Sequence, residues 1–176
     1  RPVNRDQPPG GPPTPGWSLI LPVQRGERAK SRLRVPHGVD RPALARAIAT
    51  DSLAAVRACP AVALRVVVTS DPLIGPLGRR SGDEVIDDPG VGLAAAIQAG
   101  VSHAAGRRPL APVAVLLADV PAAGPDDLDA ALSACARLRS AVLPDLDGDG
   151  TVLLSASSSR LLRPAFGPGS AQRHRR

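Results

Sequence analysis

Two aliphatic runs, each opening into a charge-bearing loop, most constrain what this chain can fold into. The first is Ser18-Leu19-Ile20-Leu21-Pro22-Val23, followed by a basic loop that ends in Ala29-Lys30-Ser31-Arg32-Leu33. The second is Val113-Ala114-Val115-Leu116-Leu117-Ala118-Asp119-Val120-Pro121. If the two are neighbouring parallel strands, Lys30 and Asp119 meet over the carboxyl ends of the sheet, where open α/β folds bind their ligands. A cation for phosphates and a carboxylate for Mg²⁺ are the minimum set for nucleotide chemistry.

The remaining segments fit the same frame. Residues 1–16 hold six prolines and three glycines, which cannot build a core, and they read as a disordered leader. Order is expected from Trp17, with residues 17–176 forming one domain. Asp40-Arg41-Pro42 opens a helix, Asp40 as N-cap and Pro42 in the first turn. Its apolar positions are Leu44, Ile48, Leu53 and Val56, and Cys59-Pro60 ends it. Val62 to Thr69 is a near-continuous aliphatic run, as suits a parallel strand covered on both faces. Asp71 to Leu77 reads as a loop or short helix and Val85-Ile86 as a short strand. Leu93, Ile97 and Val101 have helical spacing, Gly124-Pro125-Asp126-Asp127-Leu128 starts a further helix, and Ser140–Leu143 and Thr151–Ser155 are strands. Strands alternating with helices predict a three-layer α/β fold with a mostly parallel central sheet.

Charge and composition narrow the partners. The chain carries a formal charge of +6, which brings nucleic acid to mind. Trp17 and Phe166 are its only aromatics, however, so it lacks the stacking platform that single strands use. No helix shows a clean arginine stripe. A phosphorylated small molecule suits the same balance, and nucleic acid is not the expected partner. Cys59, Cys135 and the three histidines form no zinc motif. No apolar run has membrane-spanning length, and two ordinary thiols fit a reducing compartment, so the expected location is cytoplasmic with no membrane partner.

Several residues could carry chemistry. Lys30 suits a triphosphate as a flexible point charge, although the arginines around it equally describe a solvated basic loop. Neither a P-loop nor a G-x-G-x-x-G signature is present. Asp119 follows five aliphatic residues and offers Mg²⁺ a hard oxygen ligand; alone it could also be a helix cap or a loop acid. Asp145 and Asp147 are candidates for a second carboxylate. Gly92 precedes a helix whose first N–H groups can meet a nucleotide. Gly148-Asp149-Gly150-Thr151 and Phe166-Gly167-Pro168-Gly169-Ser170 read as ordinary turns or as a joint anion pocket, with Arg173 and His174 close behind. Asp71 and Asp87-Asp88-Pro89 stand at strand ends.

Taken in order, these pieces resemble the guanylyltransferases of coenzyme F420 biosynthesis, the 2-phospho-L-lactate or phosphoenolpyruvate guanylyltransferase family. The matching segments are Pro22-Val23 with Ala29-Lys30-Ser31-Arg32-Leu33, Asp51-Ser52-Leu53, Val67-Val68-Thr69-Ser70-Asp71, Leu117-Ala118-Asp119-Val120-Pro121, Gly148-Asp149-Gly150-Thr151, and Phe166-Gly167-Pro168-Gly169-Ser170-Ala171-Gln172-Arg173-His174. The resemblance implies a nucleotidyltransferase domain with a Rossmann-like α/β core that moves GMP from GTP, with Mg²⁺, onto a phosphorylated three-carbon acid. High Ala, Arg, Gly and Pro usage suggests a GC-rich genome and so the actinobacterial version of the family, for which the resemblance implies phosphoenolpyruvate as acceptor; 2-phospho-L-lactate and 3-phosphoglycerate stay open. By the same resemblance Lys30 and Asp119 are catalytic, and Asp119 is the metal ligand. Leu21, Pro22, Lys30, Gly92 and Asp119 would hold the nucleotide, and Thr151, Gly167 and Ser170 the acceptor. The product would pass to a downstream F420 transferase. A homo-oligomer stays open.

Three departures accompany the match. Gln24 stands where the family often has a second lysine, and Ala94 where it often has asparagine. Family members also continue past the Arg-His segment to a second metal aspartate, so the resemblance implies a C-terminal tail beyond Arg176. The competing readings are another nucleotidyltransferase, disfavoured by Leu21-Pro22-Val23-Gln24 where a Gly-Gly loop is usual, a basic nucleic-acid or protein-binding module, and a homologue that binds nucleotide without catalysis.

Overall fold

A computed structural model describes residues 16–25, 37–120 and 122–176. Apart from Gly16, the expected leader lies outside the described residues, and so does the basic loop with Lys30. The strands are β1 (Trp17–Pro22), β2 (Val62–Val68), β3 (Glu84–Ile86), β4 (Val113–Leu116), β5 (Ser140–Pro144) and β6 (Thr151–Ala156). The helices are α1 (Arg41–Ala58), α2 (Ile74–Arg80), α3 (Leu93–Arg107), α4 (Pro125–Cys135) and α5 (Ser170–His174). A short 3-10 turn covers Ser159–Leu161.

The strands form one sheet in the order β3-β2-β1-β4-β6-β5. β1 pairs in parallel with β2 and β4, and β2 with β3. β6 runs antiparallel to both β4 and β5. The chain winds outward from β1 to β3, then crosses back to lay β4 on the other side of β1. That reversal is a topological switch point, and the crevice it leaves at the carboxyl ends of β1 and β4 is where such sheets bind ligands.

Strand alternation builds two apolar layers. Leu19, Leu21 and Val67 face one side, against Ala49, Leu53 and Val56 of α1 and Leu128 and Leu132 of α4. Ile20, Val66, Val68, Val113 and Val115 face the other, against Ala96, Ile97, Val101 and Ala104 of α3. The expected three-layer α/β architecture is the observed one. Helix α3 lies so close to the sheet that a Cβ on Gly100 would stand 2.4 Å from the Ile20 side chain and 2.9 Å from that of Val68.

Helix α1 differs from its expected pattern. Leu44 and Ile48 are only half-buried, and the buried stripe is Ala45, Ala49, Ser52, Leu53 and Val56. The first turns of α1 pass beside a cavity beyond the end of β1, so small residues face it. Asp40 occupies the N-cap position, yet its side chain makes no capping hydrogen bond.

Many of the basic residues are tied into this frame. Asp83, whose side chain is fully buried, accepts from Arg57 at 2.7 Å and from Arg65 at 2.7 Å. Arg46 pairs with the buried Asp71 at 3.0 Å, and Arg107 with Glu84 at 2.9 Å. These arginines serve helix-to-sheet joints rather than forming a stripe. Among the described residues no helix is long and apolar enough to cross a membrane.

Candidate active site

Two adjoining cavities open at the switch point, of about 370 and 290 Å³. Pro22, Val23, Gln24 and Leu93 border both, so the end of β1 and the start of α3 form the divide between them. The first is completed by Arg25, Ser70, Asp88, Gly90, Gly92 and Ala96. The second is completed by Ala45 and Ala49 of α1 and by Leu117, Ala118 and Asp119 after β4.

The loop from β3 into α3 has its own local logic. Asp88 Oδ1 accepts the Gly90 N–H at 2.8 Å, an Asx turn after the strand. Gly92 then has φ +111°, a conformation that side chains other than hydrogen resist. This turns the chain so that α3 begins at the cavity, with its first N–H groups unpartnered within the helix.

Asp119 is exposed, lines the second cavity and makes no ion pair or hydrogen bond among the described residues. A carboxylate so placed fits a single-carboxylate Mg²⁺ site completed by phosphate oxygens and water. Among the described residues no three His, Cys, Asp or Glu side chains converge as a metal-binding group. Asp145 does not supply a second ligand, because its two carboxylate oxygens accept the N–H groups of Asp149 at 3.0 Å and Gly150 at 2.9 Å. The same bonds commit the N–H groups of Asp149 and Gly150 internally, as in the ordinary-turn reading of this segment.

Thr151, Gly167 and Ser170, far apart in sequence, do come together. Ser170 Oγ lies 3.0 Å from Thr151 Oγ1, and His174 Nδ1 lies 2.9 Å from the same atom on its other side. Gly167 accepts the Ser170 N–H through its carbonyl at 3.0 Å. Asp149 locks the group to β6: its carboxylate accepts the Gly169 N–H at 2.9 Å, and its carbonyl accepts that of Ala171 at 2.9 Å. The Gly169 N–H is therefore not free for a ligand.

Register brings this cluster to the same edge as Asp119. In the antiparallel pair, Leu116 faces Leu153 and the Leu117 N–H donates to the Val152 carbonyl at 3.1 Å. Thr151 opens β6, so the antiparallel pairing puts it at the end of the sheet where β4 runs out toward Asp119. Of the other expected nucleotide contacts, Pro22 lines both cavities and Gly92 lines the first. Leu21 lines neither, being fully buried in the core, and Lys30 lies outside the described residues. Sequence reasoning missed Asp88 as a cavity residue, although Asp-Pro-Gly after a strand was its visible signal. It also missed Asp149 as the anchor of α5, for which no local signal exists.

The switch-point crevice, with a lone carboxylate after β4 and a glycine turn leading into α3, defines a nucleotidyltransferase domain. Residues 26–175 match the MobA-like NTP transferase domain family, and the chain belongs to it. It is 45% identical over 162 residues to the phosphoenolpyruvate guanylyltransferase of Streptomyces coelicolor, an alignment that covers 90% of this chain and 76% of that one. With the enzyme of the same name from Thermomonospora curvata it shares 42% over 159 residues, covering 90% and 70%. More narrowly, then, the chain is a member of the phosphoenolpyruvate guanylyltransferase family. A nucleotidyl transferase from Methanothermobacter thermautotroptrophicus shares the fold at a TM-score of 0.53 and 21% identity, over 89% of this chain and 80% of that one.

Proposed function

We propose that this protein transfers GMP from GTP to phosphoenolpyruvate, forming enolpyruvyl-diphospho-5'-guanosine and pyrophosphate, a step of coenzyme F420 biosynthesis. The observation that carries the reading is Asp119, a carboxylate without a partner among the described residues, on the cavity at the switch point, in a chain so similar to enzymes bearing that name. GTP spans the two cavities. Its base and sugar enter the first, where Asp88 and the start of α3 offer an acceptor and backbone donors, and its phosphates extend toward Asp119, with Lys30, outside the described residues, proposed to offset their charge.

Asp119 would hold Mg²⁺, which when bound neutralises charge on the phosphates and on the departing pyrophosphate. A phosphate oxygen of the acceptor attacks the α-phosphorus. The new P–O bond forms as the bond to the β-phosphate bridging oxygen breaks, and the electron pair leaves with pyrophosphate. The nucleophile is already anionic, so no side-chain base is needed. The chain's task is to hold two anions that repel each other in line, then stabilise the developing charge. Thr151, Ser170 and Gly167 hold the acceptor; the antiparallel pairing of β4 with β6 supports this, because the start of β6 and the end of β4 share one end of the sheet.

The test is pyrophosphate release with GTP, Mg²⁺ and one acid at a time: phosphoenolpyruvate, 2-phospho-L-lactate or 3-phosphoglycerate. Release that requires both GTP and phosphoenolpyruvate is the expected result. Preference for another acid would reassign the acceptor, and no release with any acid from folded protein would overturn the transferase reading.

A further inference from the structure

We propose that His174 is a positioning residue for the acceptor: its two ring contacts force the Thr151–Ser170 hydroxyl pair to turn one hydrogen toward an anionic oxygen of the phosphorylated acid. The inference rests on the acceptor reading given above.

It follows from counting hydrogens. The backbone N–H of Ala165 donates to His174 Nε2 at 2.7 Å, and a backbone N–H can do nothing else, so Nε2 is bare. A neutral imidazole then carries its proton on Nδ1, and this proton points at Thr151 Oγ1, 2.9 Å away. The Ser170 hydroxyl reaches the same oxygen at 3.0 Å. Three hydrogens, on Nδ1, Ser170 and Thr151, serve two contacts. One hydroxyl hydrogen is left over, whichever hydroxyl donates to the other, and no described residue accepts it. In the opposite tautomer Thr151 would donate to Nδ1, both hydroxyl hydrogens would be committed, and nothing would remain for a ligand.

Thr151 and Ser170 are 4% and 1% exposed, so the spare donor is shielded from bulk water, and an unmet donor in such a place is costly. The exposed Gly167–Pro168 turn is tied to the pair through the Ser170 N–H, which donates to the Gly167 carbonyl. The Gly167 N–H donates to no described residue and supplies a second donor for the same anion. The surroundings hold the imidazole in place: the Phe166 ring meets it edge-on at 5.0 Å, and Arg173 braces the turn by donating to the Ala165 and Pro168 carbonyls. Among the described residues the charge acting on the ring is that of Arg173 on its own helix, and Asp149, on the turn before β6, is already bonded to Gly169. Burial first, and then the Arg173 charge, hold His174 below the usual histidine range. A proton on Nε2 would confront the Ala165 N–H and displace the ring.

Steady-state kinetics on four full-length proteins test this: wild type, His174→Ala, Thr151→Val and the double variant. His174→Ala is expected to raise the KM for the acid about tenfold, the scale of one misdirected hydrogen bond, and to leave the KM for GTP within about twofold. In the Thr151→Val background the same change is expected to add under about twofold, since the hydroxyl it orients is gone. In the wild type, the acid's KM rises as pH falls through the lowered His174 pKa, and in Thr151→Val it stays flat. If the wild type turns over but His174→Ala leaves the acid's KM unchanged, or raises it equally in both backgrounds, the positioning role is overturned and the acceptor reading survives. A wild type inactive with every acid overturns both. Should His174→Ala not fold, the two pH profiles decide alone: parallel slopes sink the proposal.

Discussion

Asp71 and Asp119 each follow an aliphatic strand run, yet the structure gives them opposite work. Asp71 is buried: it accepts from Arg46 at 3.0 Å and from the N–H groups of Leu73 at 2.9 Å and Ile74 at 3.2 Å, tying β2 to α1 and α2. Asp119 is exposed on a cavity with no described partner. Asp71→Asn is therefore expected to cost roughly 1–3 kcal/mol of stability, read as a lower midpoint in denaturant unfolding. Asp119→Asn should leave that midpoint unchanged while lowering kcat at least about a hundredfold, the scale of lost transition-state charge stabilisation. A normal kcat in Asp119→Asn would remove it from the chemistry. The flanking sequences do not separate these roles, because what differs is the arginine that α1 brings across to one of them.

At the scale of elements, α3 shows how a helix is set by one residue. Ala96, Ile97, Val101 and Ala104 pack on the sheet, and Gly100 lets the backbone come close to Ile20 and Val68. Gly100→Ala must push the helix outward. Helix propensity favours Ala by up to about 1 kcal/mol, but overpacking costs roughly 1–3 kcal/mol, so net destabilisation is expected in thermal unfolding. Because α3 starts at Gly92 on the first cavity, the same variant should raise the KM for GTP; an unchanged melting temperature would mean that the helix relaxes freely. Among the described carboxylates, Asp149 is the one that anchors α5. Asp149→Ala frees the Gly169 N–H and is expected to raise amide exchange over residues 167–174 while leaving β1, β2 and β4 protected.

For the whole molecule, pH acts through two groups with opposite reach. Partial burial alone would raise the Glu84 pKa, but hydrogen bonds from His103 and Arg107, with their charges, outweigh it and hold it below the usual carboxylate range. Its contribution is present above the unfolded pKa and is lost as pH falls through the folded one, so the β3 edge weakens only in acid. His174 is also depressed, by burial and Arg173. Its neutral form belongs to the folded state, so its contribution is present above the ordinary histidine pKa and lost as pH falls through the lowered value. Lowering pH from neutral should thus loosen residues 165–174 before the β3 edge, an order that amide exchange against pH would reveal. Loss of the β3 edge first would contradict it.

The sequence by itself was enough for the architecture. The runs at Ser18–Val23, Val62–Thr69, Val113–Leu117 and Thr151–Ser155 became strands, and the stretches from Gly92 and Pro125 became helices, to within a residue or two. Hydrophobic period and Pro or Gly stops are local properties, and local properties are written in order along a chain. They also marked Asp119, since a lone acid after a continuous apolar run stands out. Tertiary structure alone decided that Leu44 and Ile48 flank the core while Ala45 and Ala49 face a cavity, that Asp145 serves its own turn, and that Asp88 borders the first cavity. It alone gave His174 the tautomer that frees a hydroxyl hydrogen, through an N–H nine residues upstream. Each of these depends on which groups meet through space, and the crossover from β3 back to β4 sets those meetings at distances that no local pattern encodes.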